Sequence, residues 1–215
     1  MDVSMTAFFT IFFTSFLVAF SGAMMPGPLL TITISESSRR GAVAGPLLIA
    51  GHAILELVLV IALLFGLAPF LLKKYVFVVI ALSGAAALLW MAFSMVRSLP
   101  GLSLQVSSEA TGKNNLLITG ILMSLVNPYW TIWWVSIGLA YIMHSLRFGK
   151  WGVFFFFTGH IMADFLWYAL VSMAVWKGKS FLNDRAYRYL IAGCAVFLIF
   201  FSGYFAYSGF IKLGI

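Results

Sequence analysis

The chain has 215 residues, of which 63% are hydrophobic and only 9% charged, and its mean hydropathy is +1.06. Soluble domains carry about 25% charged residues, so a soluble globular fold is excluded and a polytopic membrane protein is predicted. The net charge of +7 does not point to nucleic acid, because the basic residues fall in short clusters between apolar runs (Arg39-Arg40, Lys73-Lys74, Arg147 with Lys150, Lys177 with Lys179, Arg185 with Arg188), as loop and interfacial anchors do.

A membrane helix takes about 20 mostly apolar residues. On that rule six spans are predicted, at 7–35, 43–70, 75–97, 115–143, 151–176 and 187–212. The first has Asp2 and no Lys or Arg ahead of it. It therefore lacks the basic segment of a cleaved signal peptide and is expected to be a retained helix. Pro26-Gly27-Pro28 interrupts it. Two prolines remove two backbone donors around a conformationally free glycine, so the helix must kink or unwind there. Backbone groups freed in this way must be buried in protein or line a cavity, and Thr31, just beyond the break, is a candidate lining residue. The segment ESSRRG (36–41) is expected to be a loop in which Glu36 pairs with Arg39.

The second span carries the stretch GHAILE, with His52 and Glu56. The third has no acid. The polar stretch 99–114 is the longest separator and marks the boundary between a first half, 1–98, and a second, 115–215. The fourth span is broken at Asn127-Pro128. The fifth carries GHIMAD, placing His160 and Asp164 in the same frame as His52 and Glu56. The sixth again has no acid. It holds Cys194, whose solitude excludes an intramolecular disulfide or a CxxC pair and fits a small packing residue.

Each half thus has a proline-broken span, a Gly-His-x-x-x-acid span and an apolar span. Three spans per half force the second half to enter the membrane from the opposite side. The predicted fold is all-α and polytopic: six transmembrane helices in a 3+3 inverted repeat, with helices 1 and 4 broken. Secondary transporters built this way hold substrate and ions near the midplane at discontinuous helices.

Glu56 and Asp164 lie at the centres of their spans, where an acid costs about 2.5–3.5 kcal/mol on insertion scales and marks function by default. The i,i+4 spacing puts each His on the same helix face as its acid, where the pair can share a proton. Either pair alone would serve equally well as a packing pin; their recurrence in matching spans favours one functional site. His52, Glu56, His160 and Asp164 are therefore the candidate groups for substrate or proton coupling. Pro26, Gly27, Pro28, Asn127 and Pro128 are candidates for a helix-break substrate site and for hinges, since half-helix N-termini attract a carboxylate and unwound carbonyls a cation. Tyr168, one turn beyond Asp164, and Trp134 are further candidates to line the cavity. The other tryptophans of spans 4 and 5 fit packing or an interfacial belt. Gly51 and Gly159 are expected to permit close helix approach.

With Pro26-Gly27-Pro28 in span 1, Arg39-Arg40-Gly41 after it, Gly51-His52 in span 2 and Asn127-Pro128 in span 4, the sequence resembles the LysE family of amino-acid exporters, which includes homoserine/threonine exporters. The resemblance covers most of the chain in length and span order. It implies export of amino acids or similar small metabolites across the cytoplasmic (inner) membrane by proton antiport, and no cofactor is expected. The chain departs from better-known members in its carboxylates at 56 and 164 and in Tyr129-Trp130. The related superfamily also holds disulfide-reductant carriers, which need a cysteine pair that is absent here.

The partners expected are a small-molecule substrate (an amino acid), protons and the lipid bilayer, with no nucleic acid and with room for a homo-oligomer. An alternative reading is a divalent metal-ion carrier, because His52, Glu56, His160 and Asp164 make a nitrogen–oxygen set suited to Zn²⁺, Ni²⁺ or Co²⁺ if they converge. An intramembrane enzyme is disfavoured, since no Ser or Cys nucleophile stands in a recognisable setting and HAILE is not HExxH. The positive-inside rule favours N-out and C-out. That orientation puts Arg39, Arg40, Arg97, Lys113, Lys177, Lys179, Arg185 and Arg188 inside, and Lys73, Lys74, Arg147, Lys150 and Lys212 outside.

Overall fold

The computed structural model describes residues 3–71, 73–101, 115–178 and 184–214, and every regular element among them is helical. In chain order these are α1 (Val3–Ala23), α2 (Pro28–Arg40), α3 (Ala44–Ala62), α4 (Ala68–Leu71) and α5 (Lys74–Ser98). They are followed by α6 (Leu116–Leu125), α7 (Pro128–Trp133), α8 (Leu139–Ser145), α9 (Gly149–Gly178) and α10 (Asp184–Leu213). Widened turns over Leu63–Leu67 and Trp134–Gly138 join α3 to α4 and α7 to α8. Of the expected central linker, Leu99–Gly101 forms a 3₁₀ turn; residues 102–114 lie outside the described residues.

Among the described residues, five helical stretches are long and apolar enough to cross a membrane: Met5–Ala23, Ala44–Leu67, Lys74–Gly101, Pro128–Gly178 and Asp184–Leu213. Leu116–Leu125 is a shorter apolar helix. The difference from six even spans has a local cause. The fourth expected span is cut at Asn127 into the short α6 and the run that begins at α7. That run continues into α9 through a turn at Gly149, which takes a φ of 68°.

Both proline breaks follow from helix-start chemistry. Pro28 and Pro128 each occupy the first helical position, where a missing N–H costs nothing and φ is already set. Asn127 caps α7, its Oδ1 accepting the Tyr129 N–H at 3.1 Å. Gly27 precedes α2 in an extended conformation, and no side chain caps that helix start. The expected loop at 36–41 is corrected: α2 continues through Arg40 and stops at Gly41, which takes a φ of 83° that favours glycine. Glu36 is buried in the last turns of this helix and pairs with both Arg39 and Arg40, which also suit the negative end of the helix.

The packing crosses the expected halves. α1 lies along α9, α6 along α3, and α5 along α10, while α9 also meets α2 and α3. Glycines set two of these crossings. A Cβ on Gly51 of α3 would strike the Leu117 carbonyl of α6, and one on Gly120 of α6 would strike the Leu48 carbonyl of α3. On the other side, a Cβ on Gly159 of α9 would strike the Phe12 carbonyl and Ser15 hydroxyl of α1. The glycine before each histidine is thus a point of backbone contact between helices, as the sequence predicts. Outward-facing side chains are strongly apolar, with Phe65, Trp90, Val196 and Phe200 well exposed. The buried set includes His52, Glu56, Ser124, His160 and Asp164, an arrangement suited to a lipid surround and a polar interior.

Candidate functional site

The α3–α9 contact brings the two His–acid pairs together. On α3, His52 Nε2 lies 3.0 Å from Glu56 Oε1, one turn along the same face. On α9, His160 Nε2 lies 3.4 Å from Asp164 Oδ2. Between the helices, His160 Nε2 meets Glu56 Oε2 at 2.9 Å and His52 Nε2 stands 3.8 Å from Asp164 Oδ2. Each histidine therefore faces both carboxylates. One ligand atom from each of the four residues can be chosen so that all lie within 4.8 Å of one another.

Neighbouring elements fix this cluster. Trp130 and Trp134 donate their indole N–H groups to Glu56 Oε1 at 3.0 and 2.7 Å. An indole N–H can only donate, so that oxygen is held as an acceptor. On the other flank, His52 Nδ1 contacts Ser124 Oγ at 2.7 Å, and the Ser124 hydroxyl donates to the Gly120 carbonyl at 2.7 Å. Ser124 reaches His52 because the interlocked Gly51 and Gly120 bring α6 against α3. By contrast, Asp164 Oδ2 and His160 Nδ1 are buried without a hydrogen-bond partner among the described residues.

The cluster lines a cavity with about 480 Å³ of empty space, part of it open to the surroundings. The two helix breaks meet at the same cavity: Gly27 and Asn127 both line it, and a Cβ on Gly27 would lie 3.3 Å from Asn127 Nδ2. Leu29 and Leu30, at the uncapped start of α2, also line it. The N-terminal end of α2 carries partial positive charge, while the cluster carries two carboxylates. The cavity therefore offers recognition of both signs.

The sequence-predicted residues fall into place unevenly. His52, Glu56, Gly27, Asn127, His160, Asp164 and Tyr168 line the cavity. Pro26, Pro28 and Pro128 stand at the breaks and are absent from the lining. Trp134 is buried behind Glu56 as a hydrogen-bond donor. Thr31 turns its hydroxyl to the Gly27 carbonyl at 3.0 Å and is absent from the lining. Sequence reasoning missed Ser124 and treated Trp130 as packing or belt. The signal for Ser124 was its spacing, four residues after Gly120 and three before Asn127, a small-residue face leading into the break. Trp130 had no such signal, because its partner lies on another helix.

A family model described as LysE type translocator matches residues 20–209 of the chain. No curated protein and no solved structure matches it significantly.

Proposed function

The chain belongs to the LysE type translocator family, whose members are membrane exporters and not enzymes, and on that premise we propose that its cargo is an amino acid or a similar small zwitterion. The observation that carries this reading is the convergence of both His–acid pairs and both helix breaks on one cavity. An ammonium group needs acceptors, and Asp164 Oδ2 is a buried carboxylate oxygen with unused capacity. A carboxylate group needs donors, which the uncapped start of α2 and the Asn127 amide supply at the same cavity.

Export runs by proton antiport in this reading. Substrate ammonium and protons compete for the same carboxylates, Glu56 and Asp164, with His52 and His160 holding the proton when cargo has left. The polypeptide crosses the inner membrane six times. The stretch Pro128–Gly178 has 51 residues, about 75 Å as straight helix against a core of about 30 Å, so it serves as two crossings joined at Gly149. The halves 1–98 and 115–215 form inverted repeats. The reciprocal packing of α1 on α9 and α6 on α3 supports this, because each first half-helix docks on the His-bearing helix of the other half. N-out and C-out is the proposed orientation; of the basic residues behind it, Lys113 and Lys179 lie outside the described residues.

The test is efflux from preloaded vesicles against an amino-acid panel, with and without an imposed pH gradient. Gradient-dependent release of one or a few amino acids is expected. Release that ignores the gradient, or Glu56→Gln and Asp164→Asn variants that still transport uphill at full rate, would remove the proton coupling. No release of any amino acid would remove the cargo assignment.

A further inference from the structure

We propose that His52, Glu56, His160 and Asp164 also form a binding site for a divalent transition-metal ion of the Zn²⁺, Ni²⁺ and Co²⁺ class. This goes beyond the amino-acid reading and does not depend on it. Four ligands held about 2.0–2.1 Å from a tetrahedral metal lie about 3.3 Å from one another. Among His52 Nε2, Glu56 Oε2, His160 Nε2 and Asp164 Oδ2, three nitrogen–oxygen separations are 3.8, 2.9 and 3.4 Å, which bracket that spacing. Small displacements of the side chains would open the centre to an ion.

The surroundings supply part of what a metal site requires beyond its ligands: His52 is braced through its second ring nitrogen, while His160 Nδ1 has no hydrogen-bond partner among the described residues. A ligating histidine needs its second ring nitrogen held by a hydrogen bond, which fixes the tautomer and the ring plane. Ser124 provides this for His52. Its only hydroxyl proton goes to the Gly120 carbonyl at 2.7 Å. The oxygen is left to accept from His52 Nδ1–H, so the lone pair of a neutral ring is on Nε2 and points at the cluster. Trp130 and Trp134 hold Glu56 Oε1 and leave Oε2 for an ion. The remaining oxygen of the set, Asp164 Oδ2, is 4% exposed by residue and has no hydrogen-bond donor among the described residues. A buried carboxylate oxygen without a donor is expensive, and a cation at the centre would satisfy it.

Ligand chemistry selects the class of ion. Two imidazoles and two carboxylates suit borderline cations. Ca²⁺ and Mg²⁺ prefer all-oxygen shells with more ligands, and soft ions such as Cu⁺ prefer sulfur. The four residues line the cavity, so an ion has a route to them. A bound metal would occupy the carboxylates that the proposed ammonium needs, making the two ligands mutually exclusive.

The experiment is a Co²⁺ titration of the purified full-length protein in detergent, read by the visible d–d absorption that tetrahedral Co²⁺ gives. We expect a saturable 1:1 band that Zn²⁺ abolishes. His52→Gln and Asp164→Asn, each shown folded by thermal melting, should weaken binding at least tenfold. His144→Gln, in the last turn of α8 and outside the cavity lining, should leave it unchanged. Absence of the band, or a band that survives both cluster variants, overturns the proposal. Neither result depends on efflux, so failure here leaves the amino-acid reading standing, and failure of that reading leaves the metal titration valid.

Discussion

Glu56 of α3 and His160 of α9, 104 positions apart, meet Oε2 to Nε2 at 2.9 Å. This contact fuses two local His–acid pairs into one cluster. Glu56 is its centre, because both of its oxygens are engaged, one by His160 and the other by Trp130, Trp134 and His52. Damage to one pair is therefore felt by the other.

Glu56→Gln should be more harmful than its similar size suggests. The new amide has one acceptor oxygen, so its NH₂ opposes the indoles or, wherever His160 Nε2 carries a proton, His160. An unmet buried donor costs about 1–3 kcal/mol. We expect a stability loss of that order in detergent melting and a fall in efflux of roughly tenfold or more, by the same energy. Wild-type melting and efflux in Glu56→Gln would contradict the central role.

The glycines separate by what they touch. Gly51→Ala, Gly120→Ala and Gly159→Ala each press a methyl group onto a carbonyl of the facing helix and should destabilise by about 1–3 kcal/mol through overpacking. Gly203→Ala meets nothing within 4 Å and should change stability by about 0.5 kcal/mol or less. Melting temperatures of the four variants check the contrast, and equal effects would refute the crossing geometry.

Asn127 combines a cap with a cavity-facing amide. Asn127→Asp keeps an oxygen for the Tyr129 N–H and should melt near the wild type. Asn127→Ala removes the cap at a cost of about 0.5–2 kcal/mol. Both lose the amide N–H₂, so both should transport poorly. Efflux alongside melting separates the two roles, and full efflux by Asn127→Asp would deny the amide any part in transport.

Gly27 and Gly41 should behave in opposite ways. Gly41 has a φ of 83°, and an added Cβ in that left-handed region costs about 1–2 kcal/mol. Gly41→Ala is expected to lower the melting temperature. Gly27 is extended, a conformation open to any residue, but its new Cβ would crowd Asn127 Nδ2 at 3.3 Å. Gly27→Ala should melt normally and transport slowly. A stability loss at Gly27 equal to that at Gly41 would count against a functional contact between the breaks.

The local pattern made much of this legible. Pro26-Gly27-Pro28 and Asn127-Pro128 had to break their helices, because proline cannot donate a hydrogen bond. The i,i+4 spacing put His52 over Glu56 and His160 over Asp164 before any tertiary contact was known. Gly51 and Gly159 were legible as contact points. Glu36 was misplaced in a loop because its segment is polar; the helix runs on through Arg40, and the expected pairing with Arg39 forms within it. The turn at Gly149 falls between the spans expected at 115–143 and 151–176, while Asn127 divides the first of them into two helices.

The sequence by itself determined the membrane class, the two breaks and the two His–acid faces, because composition and helical periodicity are local properties. Only the tertiary structure decided that the faces meet, that Ser124 orients His52 and that Trp130 and Trp134 hold Glu56. Those contacts depend on which helices lie side by side and in what register. That is set by glycine contacts between distant segments, and no spacing along one helix contains it.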